Sequence, residues 1–183
     1  MTPGQQLKEE HEGILLMLNI LGKASEKLER KEKVDVTHLG QMVEFFKIFA
    51  DRCHHGKEEG LLFPEMEKAG IAKEHGPIGV MLAEHVQGRG FIQGMSEALT
   101  GMKKGDPMAQ RHWIQNARGY ISLLTQHIQK ENNVLFPMGD RVLEKKIQDR
   151  LMEEFEELER EKIGEGTHEK LHELLHQFKK IYL

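Results

Sequence analysis

An internal duplication is the feature of this sequence that most constrains its fold. Residues 54–64 read HHGKEEGLLFP and residues 127–137 read HIQKENNVLFP, so both match His-x-x-Lys-Glu-x-x-x-Leu-Phe-Pro without a gap. Matching segments precede them: LKEEH ends at His11 and MLAEH ends at His85. An offset of 73 or 74 residues therefore relates the two halves. Each half supplies one histidine from its first segment and a His-x-x-x-Glu pair from its second.

The residue pattern between these motifs is helical. Strong helix formers dominate, runs of β-branched residues are missing, and glycines and prolines fall at intervals suited to loops. Asp35 or Thr37 is expected to cap the second helix, Pro77 to begin the third, and Asp106, followed by Pro107, to cap the fourth. The four predicted helices cover approximately residues 5–30, 35–68, 77–103 and 106–139. Their length and short connections predict an all-α fold, an up-down-up-down four-helix bundle.

The chain length suits one domain with a small extension. We expect residues 1–140 to form the bundle and residues 141–183 to form a C-terminal helical extension. Apolar residues recur at helical spacing in this extension, which indicates that it packs on the bundle or at an interface with another chain. A monomer and a homodimer are both compatible with that pattern.

The histidines and glutamates of the duplication are suited to metal binding. His54 with Glu58, and His127 with Glu131, are four residues apart, so each pair lies on one face of its helix. The second pair lies within an apolar stripe, and a buried carboxylate is costly unless it is paired or bound to a metal. Two facing carboxylates would repel each other unless a cation lay between them. Four histidines and two glutamates around the bundle axis therefore predict a site for two divalent cations.

On these motifs the chain resembles the hemerythrin-like proteins of the HHE cation-binding family, whose pattern is H…HxxxE…H…HxxxE. The resemblance covers about residues 5–140. It implies a non-haem di-iron centre in which Glu58 and Glu131 bridge two iron ions, with an oxo or hydroxo bridge between them and an open position for a small ligand. The metal ligands implied by the resemblance are His11, His54, Glu58, His85, His127 and Glu131.

One departure from the family pattern concerns the fifth histidine. Oxygen-carrying hemerythrins have a His-x-x-x-His pair on the third helix, whereas this chain has Met81 and Arg89 at four residues on either side of His85. A fifth nitrogen ligand could come from His55, from His75, or be missing. An alternative frame pairs His55 with Glu59, but only the pairing of His54 with Glu58 keeps the two copies of the motif aligned.

The sequence gives weaker support for a functional role of several other residues. His168, His172 and His176 recur every four residues near the end of the chain, which suits a second metal site or a solvated helix face. Tyr120 lies two turns before His127 and could approach the site, although a core role is the commoner case. Cys53 is the only cysteine. It cannot form an internal disulfide, and a reducing cytoplasm is therefore the expected location.

The amino-acid composition and the ratio of histidine to carboxylate ligands limit the range of possible functions. The net charge is −4 with no block of lysine or arginine, which argues against nucleic acid as a partner. No apolar run reaches membrane-spanning length, so no membrane association is expected. Four neutral histidines with only two carboxylates should stabilise ferrous iron. We therefore expect the binding of O2, or of NO, for storage, delivery, scavenging or sensing. The alternative is a di-iron enzyme of oxidative or nitrosative stress defence, which removes peroxide or NO or repairs iron centres.

Overall fold

The computed structural model describes residues 1–164 and 166–183, and all regular secondary structure in these ranges is helical. The first four helices form the bundle, and two shorter helices pack against it. The all-α class and the bundle predicted from the sequence are confirmed. The six helices are α1 (Pro3–Glu29), α2 (residues 36–68), α3 (Pro77–Lys103), α4 (residues 109–142), α5 (Lys145–Lys162) and α6 (Thr167–Tyr182).

The helix starts follow from local capping chemistry. Thr2 and Gln5 form a reciprocal capping box at the start of α1, and Asp35 caps α2 by accepting a hydrogen bond of 2.8 Å from the backbone N–H of Thr37. The predicted cap of α4 lies too early. Asp106 instead accepts from the backbone N–H of Met108 within a turn, and the helix begins at Ala109.

Two helices are widened where the duplicated motif lies. In α2, π-helical turns occupy Phe46–His55 and Glu58–Leu62, and in α4 a π-helical turn occupies Glu131–Leu135. The prolines of the two Leu-Phe-Pro segments explain why both copies widen. A proline has no N–H to donate four residues back, and its ring collides with that carbonyl in an α-helix. The preceding phenylalanine N–H in each copy donates to the glutamate carbonyl five residues earlier.

Small residues allow α3 and α4 to pack closely. A side chain at Gly119 would lie 2.3 Å from the ring of Phe91, and one at Gly94 would lie 2.2 Å from the amide of Asn116. Any larger residue at these positions would require the Phe91 ring or the Asn116 side chain to move. This close contact fixes the relative position of the histidines that α3 and α4 carry.

The C-terminal helices bury apolar side chains against the bundle. Phe155 of α5 is fully buried in a cluster with Leu7 of α1, and Phe178 of α6 is 1% exposed in the main core. Burial of each ring stabilises the fold by about 1.5–3 kcal/mol. Their packing on the bundle is thus a property of the single chain, while the division at residue 140 stays a prediction. No helix of the described residues has the combined length and apolar character needed to cross a membrane.

Candidate metal centre

Seven side chains from all four bundle helices converge at the centre of the molecule. Each is at most 4% exposed, and the potential ligand atoms within each of two groups lie within 4.8 Å of one another. Glu58 belongs to both groups. The structure thus brings together all six residues singled out in the sequence, and it adds His55. The first group is His11, His54, Glu58 and Glu131, and the second is His55, Glu58, His85 and His127.

Each glutamate faces both groups, with one oxygen toward each. Glu58 has Oε1 3.3 Å from Nε2 of His54 and Oε2 3.3 Å from Nε2 of His85. Glu131 has Oε2 3.3 Å from Nε2 of His11 and Oε1 3.2 Å from Nε2 of His127. Neighbouring ligands that are each about 2.1 Å from one cation lie about 3.0–3.3 Å apart. The spacing therefore suits two cation positions with a carboxylate on either side.

Every histidine of the cluster has its other ring nitrogen fixed by an oxygen atom. The Nδ1 of His54 lies 2.8 Å from Glu10, that of His127 lies 2.9 Å from Glu84, and that of His85 lies 2.7 Å from Glu59. The Nδ1 of His11 lies 2.7 Å from the Asn132 side-chain oxygen, and that of His55 lies 3.3 Å from Asp51. These oxygens can only accept, so Nδ1 carries a proton in each ring, and Nε2 can bind a cation through its lone pair once any second proton has been displaced.

The atoms that face the centre have no hydrogen-bond donors. The Nε2 atoms of His11 and His54 and both oxygens of Glu58 and Glu131 are buried without a hydrogen-bond partner. Nε2 of His85 lies 3.2 Å from Nε2 of His127, and when both rings are neutral and protonated at Nδ1, only lone pairs face each other there. Buried polar atoms left unpaired in this way destabilise a fold unless something else binds them. The donor set therefore fits two divalent cations.

Electrostatics show how strongly the centre attracts positive charge. Burial disfavours protonated His54, yet the Glu58 and Glu10 carboxylates outweigh it and raise its pKa to about 10. Burial likewise opposes protonation of His127, but Glu131 raises its pKa to about 9. Protons thus take the place of cations in the metal-free protein, and metal binding must displace them.

Both central carboxylates stay ionised in spite of their burial. Burial would raise the pKa of Glu58, but the charges and hydrogen bonds of His54 and His85 hold it well below its usual range. Burial and the neighbouring Glu58 would raise the pKa of Glu131, but the histidines beside it lower it. Two carboxylates therefore remain available as charged ligands.

His55 enters the cluster from the end of a π-helical segment of α2. Its ring stacks on that of His85 with centroids 3.8 Å apart, and burial followed by the nearby His85 lowers its pKa to about 4. A neutral imidazole is the form that binds metals. The other candidate for a fifth histidine, His75, lies exposed in the loop before α3 with φ of 52° and belongs to neither group.

Comparison with known proteins identifies the family. The sequence profile described as "Hemerythrin HHE cation binding domain" matches residues 2–139, which is most of the chain. The chain belongs to this family. This confirms the resemblance drawn from the duplicated motif, and the match ends within α4, before α5 and α6.

Among curated proteins, an uncharacterised protein of Mycobacterium tuberculosis is 25% identical over 91% of this chain and 64% of its own length. The iron-sulfur cluster repair protein YtfE of Edwardsiella ictaluri is 37% identical over 48% of this chain and 41% of its own length. A probable iron-sulfur cluster repair protein of Haemophilus influenzae is 32% identical over 63% of this chain and 55% of its own length. The chain thus spans less than two thirds of each of these relatives, and no solved structure matches it.

Sequence reasoning missed the residues that hold the histidines of this HHE domain. Glu10 joins Nδ1 of His54 to the ammonium of Lys57 at 2.5 Å, and Glu84 joins Nδ1 of His127 to Lys130. The sequence does contain a signal for these residues. The glutamate directly before the first histidine, Glu10 or Glu84, and the lysine directly before the ligand glutamate, Lys57 or Lys130, occur in both halves. The repeat therefore encodes ligands together with the ion pairs that orient them.

Near the second group, Arg89 joins two of these supporting carboxylates. It donates hydrogen bonds to Asp51 at 2.9 Å and to Glu59 at 2.7 Å, and these two carboxylates hold His55 and His85. Burial would raise the pKa of Asp51, but His55 and Arg89 lower it to about 2. Arg89 of α3 thus ties two carboxylates of α2 together and fixes one histidine from each half of the chain.

The remaining candidates lie outside the cluster. The rings of His168 and His172 lie tilted to each other beside Phe49 with centroids 4.6 Å apart, and among the described residues neither joins a metal-binding group. His176 is exposed. Burial raises the pKa of the Cys53 thiol to about 12, which makes it a poor nucleophile.

Proposed function

We propose that this HHE protein binds two non-haem iron ions and uses them to bind a small diatomic ligand, O2 or NO. The observation that carries the proposal is the pair of groups that share Glu58, with Glu131 presenting one oxygen toward each of them. His11, His54, Glu58, His85, His127 and Glu131 would hold the metals, as the sequence indicated, with His55 as a seventh ligand. Bound iron would supply reversible one-electron chemistry and an affinity for diatomic molecules.

The two cation positions are unequal, which supports the binding of an external ligand. One has three histidines, His55, His85 and His127, and the other has two, His11 and His54. Ile128 stands where the repeat would place a counterpart of His55. The position with two histidines therefore has one protein donor fewer, and this is where a small ligand would find an open coordination position.

A small cavity adjoins the position with three histidines rather than the position with two. It measures about 150 Å³ and is lined by the rings of His55 and His85, with Tyr120 and Arg89 also on its walls. Drug-sized ligands occupy pockets of about 300–1,000 Å³, whereas a water molecule takes about 30 Å³. The space suits diatomic molecules and peroxide. Burial raises the pKa of the Tyr120 hydroxyl, which therefore remains a hydrogen-bond donor to such a molecule.

The first experiment is an oxygen cycle on the purified protein. The iron-loaded protein is reduced anaerobically, exposed to O2 and then evacuated while its absorption spectrum is followed. We expect a visible charge-transfer band that appears with O2, disappears on evacuation and returns. A band that decays irreversibly to a ferric spectrum would overturn reversible binding, and the absence of any iron-dependent band would overturn the ligand assignment.

A second candidate function is that of a di-iron enzyme of oxidative or nitrosative stress defence. Two relatives are named as iron-sulfur cluster repair proteins, which favours this function, although the chain spans about half of each. The same small cavity would admit peroxide or NO. The discriminating measurement is consumption of peroxide or NO under turnover, which a binding protein would not sustain. We place either function in the cytoplasm, because the chain has a single, buried cysteine.

A further inference from the structure

The two halves of the molecule differ in the surroundings of the repeated lysine. Lys57 is fully buried, whereas the side chain of its counterpart Lys130 is 44% exposed. Helix α5 makes this difference, because Phe155 covers Lys57 with its ring centroid 5.5 Å from Nζ. A buried ammonium group is tolerated only when carboxylates pair with it. The partners of Lys57 therefore decide what this part of the structure does.

Lys57 pairs with two carboxylates from two different helices. Its Nζ lies 2.5 Å from Oε1 of Glu10 on α1, and it also contacts the carboxylate of Glu159 on α5. The amide of Gln6 lies 3.4 Å from both of these carboxylates. Lys130, in contrast, pairs with Glu84, and within the described part of the chain no second carboxylate joins that pair.

A short chain of contacts leads from Glu159 to the metal centre. Lys57 joins Glu159 to Oε1 of Glu10, and Oε2 of Glu10 accepts the Nδ1–H of His54 at 2.8 Å. Nε2 of His54 in turn faces Oε1 of Glu58 at 3.3 Å. Three polar contacts thus connect a residue of the C-terminal extension to a proposed iron ligand.

We propose that Glu159 is a positioning residue of the metal centre, which acts on His54 through Lys57 and Glu10. By sharing the positive charge of Lys57, Glu159 leaves more negative charge on Glu10, which becomes a stronger acceptor for His54. A stronger acceptor orients the ring and makes its Nε2 a better metal donor. The extension, which lies beyond the matched family region, is in this way part of the centre. The inference rests on the proposed di-iron function.

The test compares two single substitutions on α5 in the full-length protein. Glu159→Gln keeps the shape of the side chain and removes its charge, and Glu156→Gln is the matched control on the same helix, because Glu156 is exposed and outside the contact chain. Lys130→Gln removes the lysine of the other half, which pairs with no counterpart of Glu159 among the described residues and lies outside the contact chain to His54. We expect a ferrous chelator to extract one of the two irons about tenfold faster from the Glu159→Gln variant, with Glu156→Gln at the parent rate.

A second measurement reports on His54 without iron. In protein labelled with ¹⁵N-histidine, the Nδ1–H proton of His54 should shift upfield in Glu159→Gln as its hydrogen bond weakens, and Glu159→Asp should partly restore it. The shift should be absent in Glu156→Gln and in Lys130→Gln.

Two outcomes overturn the proposal. One is a Glu159→Gln variant that is less stable to heat but keeps the parent proton resonance and iron-release rate, which would make Glu159 a structural residue only. The other is a Glu156→Gln variant that changes the iron-release rate and the His54 resonance as much as Glu159→Gln does. The overall charge of the helix would then explain both changes. If the parent protein does not bind two irons, the proposed di-iron function is wrong. The Nδ1–H resonance of His54 tests the contact chain independently of that result.

Discussion

The rings of His55 and His85 lie stacked, with their centroids 3.8 Å apart and 16° between their planes. They come from different helices, and Arg89 ties together the carboxylates that hold them. His55 ends the π-helical segment Phe46–His55 and belongs to the second group, while His54 beside it belongs to the first. It gives one cation position a histidine that the other lacks.

We therefore predict that His55→Ile weakens one of the two metal positions. Isoleucine stands at the equivalent point of the second half, as Ile128, so the change makes the two halves alike. Loss of a ligand should cost at least as much as loss of a supporting residue, about 10–100-fold in affinity. Anaerobic titration of the metal-free protein with Fe²⁺ measures this. His75→Asn is the control, because asparagine tolerates the positive φ at that position, and an unchanged second binding step in the His55 variant would contradict the prediction.

Removal of a bridging carboxylate should reduce the metal content itself. In Glu58→Gln the side chain keeps its size but loses the charge and one oxygen, and Glu58 is the residue common to both groups. We expect the stoichiometry to fall from two irons per chain to one or fewer, as measured by elemental analysis of protein loaded under identical conditions. Glu67→Gln, at an exposed position of the same helix, should keep both irons. Two retained irons in Glu58→Gln would argue against a bridge.

Metal binding should release protons at neutral pH. His54 and His127 have pKa values raised to about 10 and about 9, so both are protonated at pH 7.5 in the metal-free protein. A cation at Nε2 must displace these protons, and about two should appear per protein in a weakly buffered solution with a pH indicator. Because protons compete with the metal at Nε2, the apparent metal affinity should rise with pH until the pH passes about 10. Binding without proton release at pH 7.5 would show that these pKa values are not raised.

Metal should also stabilise the fold, because it satisfies the buried atoms of the cluster. A ligand that binds only the folded state adds about 2.7 kcal/mol when its concentration is 100 times its Kd. For a chain of this size that corresponds to a rise in Tm of roughly 5–10 °C. Calorimetry of metal-free and Zn²⁺-loaded protein measures it, with Mg²⁺ as the control because it favours oxygen ligands. Equal Tm values with and without Zn²⁺ would contradict a preformed site.

Helix α6 should contribute stability without affecting the metals. Phe178 is 1% exposed in the main core, far along the chain from every proposed ligand, and Phe178→Ala should cost about 3–5 kcal/mol of unfolding free energy. Urea denaturation measures the loss, and Ile181→Ala, at a position that is 49% exposed, should change little. Iron content should stay at two per chain in both variants. A loss of iron from the folded Phe178 variant would mean that α6 also supports the centre.

The local sequence was sufficient for the helices and for the main ligand set because both depend on short-range spacing. Helix formers and caps placed α3 at Pro77–Lys103, as predicted. The four-residue spacing of His54 and Glu58 placed both side chains on one face, and the structure brings them to the same point. Asp106 shows the limit of such reasoning, because the same side chain can cap a turn or a helix and only the neighbouring packing selects between them.

The sequence by itself determined the helical class, the twofold repeat and the six residues that meet at the bundle axis, since hydrophobic period and motif spacing act within one or two turns. The tertiary structure alone decided that His55 joins the cluster and His75 does not, because this depends on the widened turns of α2 and on the contact with His85 of α3. It also decided that Glu159 meets Lys57, 102 residues away. Contacts between helices that are distant in the sequence depend on how the whole core packs, so local sequence patterns do not predict them.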